Sequence, residues 1–193
     1  MQEHQVQLDC YINSKEAEND VTLRQVLSSL PPELVVARTL QAVGIGQPVM
    51  LSLVITDDIE IQALNKQYRQ QDKPTDVLSF PLLDEPLVDA PPDQLWQTVE
   101  EMGKNDMKQQ AYPAFITPGD MPTNLGDIVI SWPTVTRQAA QAGHHPAYEL
   151  LYLLSHGTLH LVGYDDQTEA GYQAMLLLQE SVMQEIDWDA LTP

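Results

Sequence analysis

Apolar residues recur along this chain at two spacings. Short runs with a period near two alternate with longer ones with a period near 3.6, and each spacing predicts a different element. "VQLDCYIN" alternates loosely and predicts a first strand. "KEAENDVT" is polar and predicts a turn or the start of a short helix. "LPPELVVARTLQAVGIG" carries prolines at its start, helical apolar spacing inside and Gly44 at its end, which together predict a helix. "VMLSLVIT" is short, apolar and rich in β-branched residues, a second strand. In "TDDIEIQALNKQYRQ", Asp57 is a good N-cap with Glu60 three residues on, a variant of the capping box. Ile61, Leu64 and Tyr68 then share one helical face. "DKPTDVLSFPL" predicts a proline-containing turn and a third strand over Val77–Phe80.

From Asp84 to Asn124 the pattern is lost. Six prolines (86, 91, 92, 113, 118 and 122) interrupt it, and seven acids stand against one lysine between Asp84 and Asp106. Two strands of a compact domain rarely need forty residues between them, so 84–124 reads as an acidic, proline-rich insertion, mobile or partly helical around "LWQTVEEM". Periodicity returns with "LGDIVIS" as a fourth strand, "TVTRQAAQAG" as a helix, and a long apolar helix opened by Pro146 and ending at Gly163. "EAGYQAMLLLQESVMQEI" predicts the last helix. Alternating strands and helices predict an α/β fold, one compact domain over 1–193 with a small mixed four-stranded sheet packed with helices.

Composition narrows the class. The 193 residues contain one cysteine, Cys10, which excludes an intramolecular disulfide and suits a reducing compartment. No apolar run approaches the ~20 residues of a membrane helix, and the first ten residues show no secretory pattern. A cytoplasmic protein with no membrane partner is expected. The formal charge of -19, from 28 acids against 9 bases, repels nucleic acid at long range. RNA binding therefore requires a local basic patch, and DNA is not an expected partner. Lys66, Arg69 and Lys73 place three of the nine bases within eight residues.

The strongest chemical signal is "HGTLHLVGYDD", positions 156 to 166. His156 and His160, at i and i+4, stand on one helical face and can grip one zinc ion at about 2.0–2.1 Å each. Gly163 can end the helix and turn the chain so that Tyr164, Asp165 or Asp166 offers a third ligand. Three ligands leave a fourth position open, as catalytic zinc requires. The pattern is similar to the zinc helix of metzincin proteases, but those carry a glutamate directly after the first histidine, where this chain has Gly157.

Three motifs in order, "LNKQYRQQDKPTDVLSFP", "LGDIVIS" and "HGTLHLVGYDD", resemble the YbeY family of bacterial endoribonucleases over roughly residues 50–83 and 125–180. The resemblance implies a compact α/β fold with a metal site on a late helix, at the foot of a cleft. It implies His156, His160 and Asp166 as metal ligands, with Asp166 standing where the family usually has histidine, and Asp165 as a supporting residue. Arg69 matches the family's arginine and is the expected catalytic, phosphate-holding group, with Lys66 and Lys73 as candidate RNA-binding residues. The implied cofactor is one zinc ion per chain, with nickel or cobalt also fitting the ligand set. The implied activity is metal-dependent, single-strand-specific RNA cleavage in 3′-end maturation of small-subunit rRNA and in ribosome quality control. The ribosome or its proteins are then partners. A ribosome-assembly factor with a structural metal is the alternative from another class, and it predicts a closed four-ligand site.

Overall fold

The computed structural model describes residues 6–29, 31–97 and 121–188. Its four strands are β1 (Val6–Ile12), β2 (Val49–Thr56), β3 (Val77–Pro81) and β4 (Thr123–Ser131). They form one mixed sheet in the order β1-β2-β4-β3: β1, β2 and β4 run parallel, and β3 is antiparallel to β4. Helices α1 (Lys15–Asn19), α2 (Val21–Ser29) and α3 (Pro32–Ala42) connect β1 to β2. The helix α4 (Asp58–Arg69) links β2 to β3, while α5 (Trp132–Ala142), α6 (Pro146–Val162) and α7 (Glu169–Gln184) follow β4. No helix among the described residues is long and apolar enough to cross a membrane.

Local chemistry accounts for most of these boundaries. Asp57 caps α4 by accepting hydrogen bonds from the amides of Ile59 and Glu60, each at 3.0 Å. The Glu60 side chain does not close a capping box. It accepts from Thr56 Oγ1 at 2.6 Å and Asn13 Nδ2 at 2.8 Å, tying α4 to the end of β1 instead. The polar stretch after β1 forms two short helices, because Ser14 and Asp20 each cap the turn that follows. At the end of α3, Gly44 adopts φ 78°, and the Ile45 amide donates back to Leu40 O at 2.9 Å.

The sheet separates two cores. On one face, Leu51, Leu53, Ile55, Ile128 and Ile130 pack with α3 and α6 in a large buried cluster. On the other, α4 covers a small cluster of Ile61, Leu78 and Val129. The interior helix is α6, which packs on α3, α5, α7, β3 and β4. Its apolar residues are buried around nearly the whole circumference, as expected of a helix with such a sequence.

The stretch predicted as an insertion is tied down wherever it is described. Thr123 and Asn124 belong to β4. Ahead of the residues left undescribed, the Leu87 amide donates to Val162 O at 2.8 Å, and the Trp96 amide donates to Gly163 O at 2.9 Å. Leu95 bridges Tyr164 in antiparallel fashion. Residues 84–97 are thus a strap across the C-terminal end of α6, the end that carries His160. Most of the predicted helical turn over 95–102 lies outside the described residues; within it Leu95 is extended, and Trp96 and Gln97 are not helical.

The tightest contact of α6 is at Gly157. A methyl group there would stand 2.9 Å from Ile128 Cγ2, 3.0 Å from Ile128 Cδ1 and 3.1 Å from Ser79 Oγ. Ile128 is fully buried and has no room to withdraw. Gly157→Ala should therefore lose stability by about 1–3 kcal/mol of overpacking, offset by at most about 1 kcal/mol of improved helix propensity. Thermal unfolding should show a Tm lowered by several degrees, and an unchanged or raised Tm would contradict this packing.

Candidate metal centre

The i, i+4 spacing on α6 brings the Nε2 atoms of His156 and His160 to 3.0 Å from each other. Gly163 ends the helix at φ 128°, a conformation that L side chains rarely adopt, and Pro86 of the strap covers it. The chain then folds back. Asp166 places Oδ2 3.8 Å from His156 Nε2 and Oδ1 3.9 Å from His160 Nε2. Among the described residues these three alone bring metal-binding atoms within 4.8 Å of one another. Two donors bound about 2.0–2.1 Å from one tetrahedral ion lie roughly 3.3 Å apart, so the observed separations bracket what one ion needs.

The outer nitrogens fix which tautomer each ring carries. His160 Nδ1 lies 2.9 Å from the backbone carbonyl of Tyr164, which can only accept, so Nδ1 bears the proton. His156 Nδ1 lies 3.3 Å from Gln179 Oε1. That oxygen is oriented by the other end of the amide, where Nε2 donates to Tyr152 O at 3.4 Å. Both rings therefore present bare Nε2 lone pairs to the same point. Two lone pairs at that distance repel unless a cation lies between them, and that is the test the site passes as a metal cradle. Burial, and then the charge of His156, hold the His160 pKa below the ordinary 6.5, with Asp166 pulling the other way. His160 is thus neutral and able to ligate at pH 7.

The centre opens into a cleft of about 270 Å³ walled by Arg69, Asn65, Gln71, Ser79 and the three candidate ligands. Arg69, at the last turn of α4, pairs with no carboxylate among the described residues. The two lysines predicted beside it do not line the cleft. Lys66 is ion-paired with Asp72 at 2.6 Å, and Lys73 is exposed on the loop beyond α4. Asp165 accepts from the Gln167 amide at 3.2 Å, shaping the loop that presents Asp166, and its charge also acts on His160. Asp76 holds the start of β3 by accepting from the Val77 amide, and Asp127 faces a separate hollow on the α4 side of the sheet. His145 caps α6 and His144 pairs with Glu149, both away from the centre.

Comparison with known proteins settles the family. The model of the family described as Endoribonuclease YbeY matches residues 12–187. The chain is 39% identical over 176 residues to the Endoribonuclease YbeY of Moorella thermoacetica, covering 91% of this chain and 96% of that one. It is 36% identical to that of Geobacillus kaustophilus, covering 90% and 94%. The chain belongs to the YbeY family. The fold agrees with the solution structure of TM1509 from Thermotoga maritima, with a TM-score of 0.50 and 23% identity over 94% of this chain and 89% of that one.

Within this YbeY chain, three residues at the centre carry no motif signal of their own. Gln179 is buried and orients His156. Its trace in the sequence is a lone amide on the otherwise apolar face of α7 formed by Met175, Val182 and Met183. Trp96 donates its indole N–H to His160 O at 3.1 Å. Gly171 leaves room for Asp165 O, which a methyl group there would meet at 1.9 Å.

Two outcomes are expected. Gln179→Leu frees His156 to rotate and should weaken metal binding by about 10–100-fold, read by competition with a chromophoric chelator. In the metal-free protein, the depressed pKa of His160 makes the unfolded chain the better proton acceptor below 6.5. Its contribution to stability is full above 6.5 and is lost as pH falls from there toward the folded value. Tm should fall as pH drops below the ordinary 6.5, and less steeply in His160→Gln.

Proposed function

We propose that this chain is a metal-dependent endoribonuclease of single-stranded RNA. Its place is in 3′-end maturation of small-subunit rRNA and in ribosome quality control, with one zinc ion per chain. The observation that carries this reading is that Arg69, from one side of the sheet, and His156, His160 and Asp166, from the other, wall one cleft. Family membership supports it, since the relatives are endoribonucleases by name.

Each residue then has a chemical task. His156, His160 and Asp166 would hold the ion, which when bound supplies a Lewis acid at a phosphoryl oxygen and lowers the pKa of water. The unpaired guanidinium of Arg69 grips a phosphate by two parallel N–H donors and opposes the charge that develops on it. Gln179 and the Tyr164 carbonyl keep both imidazoles in the ligating tautomer. Asp166 in place of a histidine adds one negative charge, which tempers the acidity conferred by the ion.

The alternatives fare less well on geometry. All three candidate ligands line the cleft, so the free side of the centre faces substrate space, as an active site needs and a closed structural site does not. A zinc protease needs a glutamate where this chain has Gly157, and Ile128 and Ser79 crowd the space that such a side chain would need.

The test is cleavage of an end-labelled single-stranded RNA by proteins purified in parallel. Arg69→Ala should keep its metal and lose roughly a hundredfold or more in rate. His156→Ala should lose both metal and cleavage. Equal cutting by wild type and His156→Ala would remove the assignment. Full metal loading with no cutting by wild type would favour the assembly-factor reading.

A further inference from the structure

A second cavity, of about 350 Å³, opens on the other side of the centre and shares His156 and Asp166 with the cleft. Helix α6 is buried except for a stripe of half-exposed residues, among them Tyr148, Glu149, Tyr152, His156 and His160. The rings at 148, 152, 156 and 160 follow one another at four-residue intervals toward the ligands, and the Tyr148 and Tyr152 planes lie within 13° of parallel. Tyr152 forms one wall of the cavity and Tyr172, from α7, another; Leu153, Met175 and Leu176 supply an apolar lining.

Two of the polar groups that line the cavity are committed at both ends. The Gln179 amide is used at both ends, on His156 and Tyr152. The Asp76 carboxylate accepts from Val77 and Thr75 on one oxygen and from Gln138 on the other. Glu149 is different. One oxygen pairs with His144 Nε2 at 3.1 Å, while the other has no hydrogen-bond partner among the described residues. Its side chain is only 14% exposed. Glu149 lines the cavity, so this oxygen is an acceptor that the described residues leave unsatisfied, and it marks a place for a donor from outside.

A flat group with apolar faces and an N–H at its edge fits this space, and a nucleobase is such a group. We propose that the cavity receives the base of the nucleotide adjacent to the phosphate at the metal centre, and that Glu149 selects bases with an exocyclic amino group. Adenine, cytosine and guanine offer that donor, whereas uracil offers only a ring N–H flanked on both sides by carbonyl oxygens that the carboxylate repels. The inference rests on the function proposed above, because a phosphate held at His156 and Asp166 puts the neighbouring base within reach of the cavity. It adds a base preference that the metal centre alone does not imply.

The test is binding of AMP, CMP and UMP to the intact, zinc-loaded protein, followed by NMR titration. AMP and CMP should bind roughly tenfold tighter than UMP, the value of one hydrogen bond to a charged acceptor. Glu149→Gln, which keeps the size of the side chain, should abolish that difference. Tyr172→Ala alters an exposed ring and should weaken all three, by roughly fivefold or more, while leaving the preference in place. Equal binding of AMP and UMP, no binding of any nucleotide, or a preference that survives Glu149→Gln would each overturn the proposal. None of these nucleotides has a phosphodiester bond between nucleosides to cut. A chain that binds with this preference yet cuts no RNA would therefore sink the nuclease reading and leave the base site standing. A chain that cuts RNA but binds without preference would do the reverse.

Discussion

The close approach of α6 to the sheet at Gly157 sets how deep the two imidazoles of the cleft lie. With Ile128 and Ser79 against the bare backbone of that residue, the helix lies lower on β3 and β4 than any side chain would permit. That depth keeps the first imidazole level with the end of β3, where Ser79 and Val77 line the same cleft. It also turns the otherwise apolar helix so that its few polar rings face the one side not covered by α3, α5 or the sheet. A buried hydrogen bond between Thr39 and Ser155, 2.9 Å long, holds the opposite side of α6 against α3. Packing this dense transmits small changes in volume directly to the ligands.

On this platform the electrostatics are arranged by hydrogen bonds behind the ligands rather than by charges around them. A carbonyl and a side-chain amide, both acceptors, take the outer protons of the two imidazoles. The inner lone pairs are left to meet. The carboxylate of Asp166 completes a site with a formal charge that suits a divalent cation. The chain as a whole carries a charge of -19 and would repel RNA, so it is significant that the guanidinium of Arg69 pairs with no carboxylate among the described residues. Three other bases are engaged: Lys66 by Asp72, Arg137 by Asp58 and Arg38 by Glu185. Asp58 illustrates the cost of that arrangement. Burial would raise its pKa, yet the hydrogen bonds of Arg137, Ser131 and Thr134 carry it below the usual carboxylate range, which clamps α4, and with it Arg69, to α5.

The strap at 84–97 shows how composition can mislead. Prolines and acids in that stretch look like an insertion, yet its backbone hydrogen-bonds to the C-terminal end of α6 and to the loop that carries Asp166. Pro86 sits on Gly163, and the Trp96 indole binds the carbonyl of His160. Proline here removes donors that the strap does not need and stiffens a segment whose few remaining amides are used. The loop after α6 is thereby held from both sides, by the strap and by the first turn of α7 at Gly171.

What could be read from the sequence by itself was what depends on neighbours along the chain. Periodicity located the four strands and the long helices, because alternation and 3.6-residue spacing are properties of one segment at a time. The same reasoning exposed His156 and His160, whose spacing alone puts them on one helical face, and the glycine that turns the chain toward Asp166. Where the signal depended on a partner far away, it failed or stayed silent. Glu60 looked like half of a capping box until β1 brought Asn13 to it. Gln179, Trp96 and Glu149 had no motif, since a buried amide, an indole and a carboxylate acquire meaning only from what tertiary packing sets beside them. Only the folded chain could decide these, because hydrogen bonds and burial between residues tens of positions apart are set by the packing of whole elements and not by local spacing.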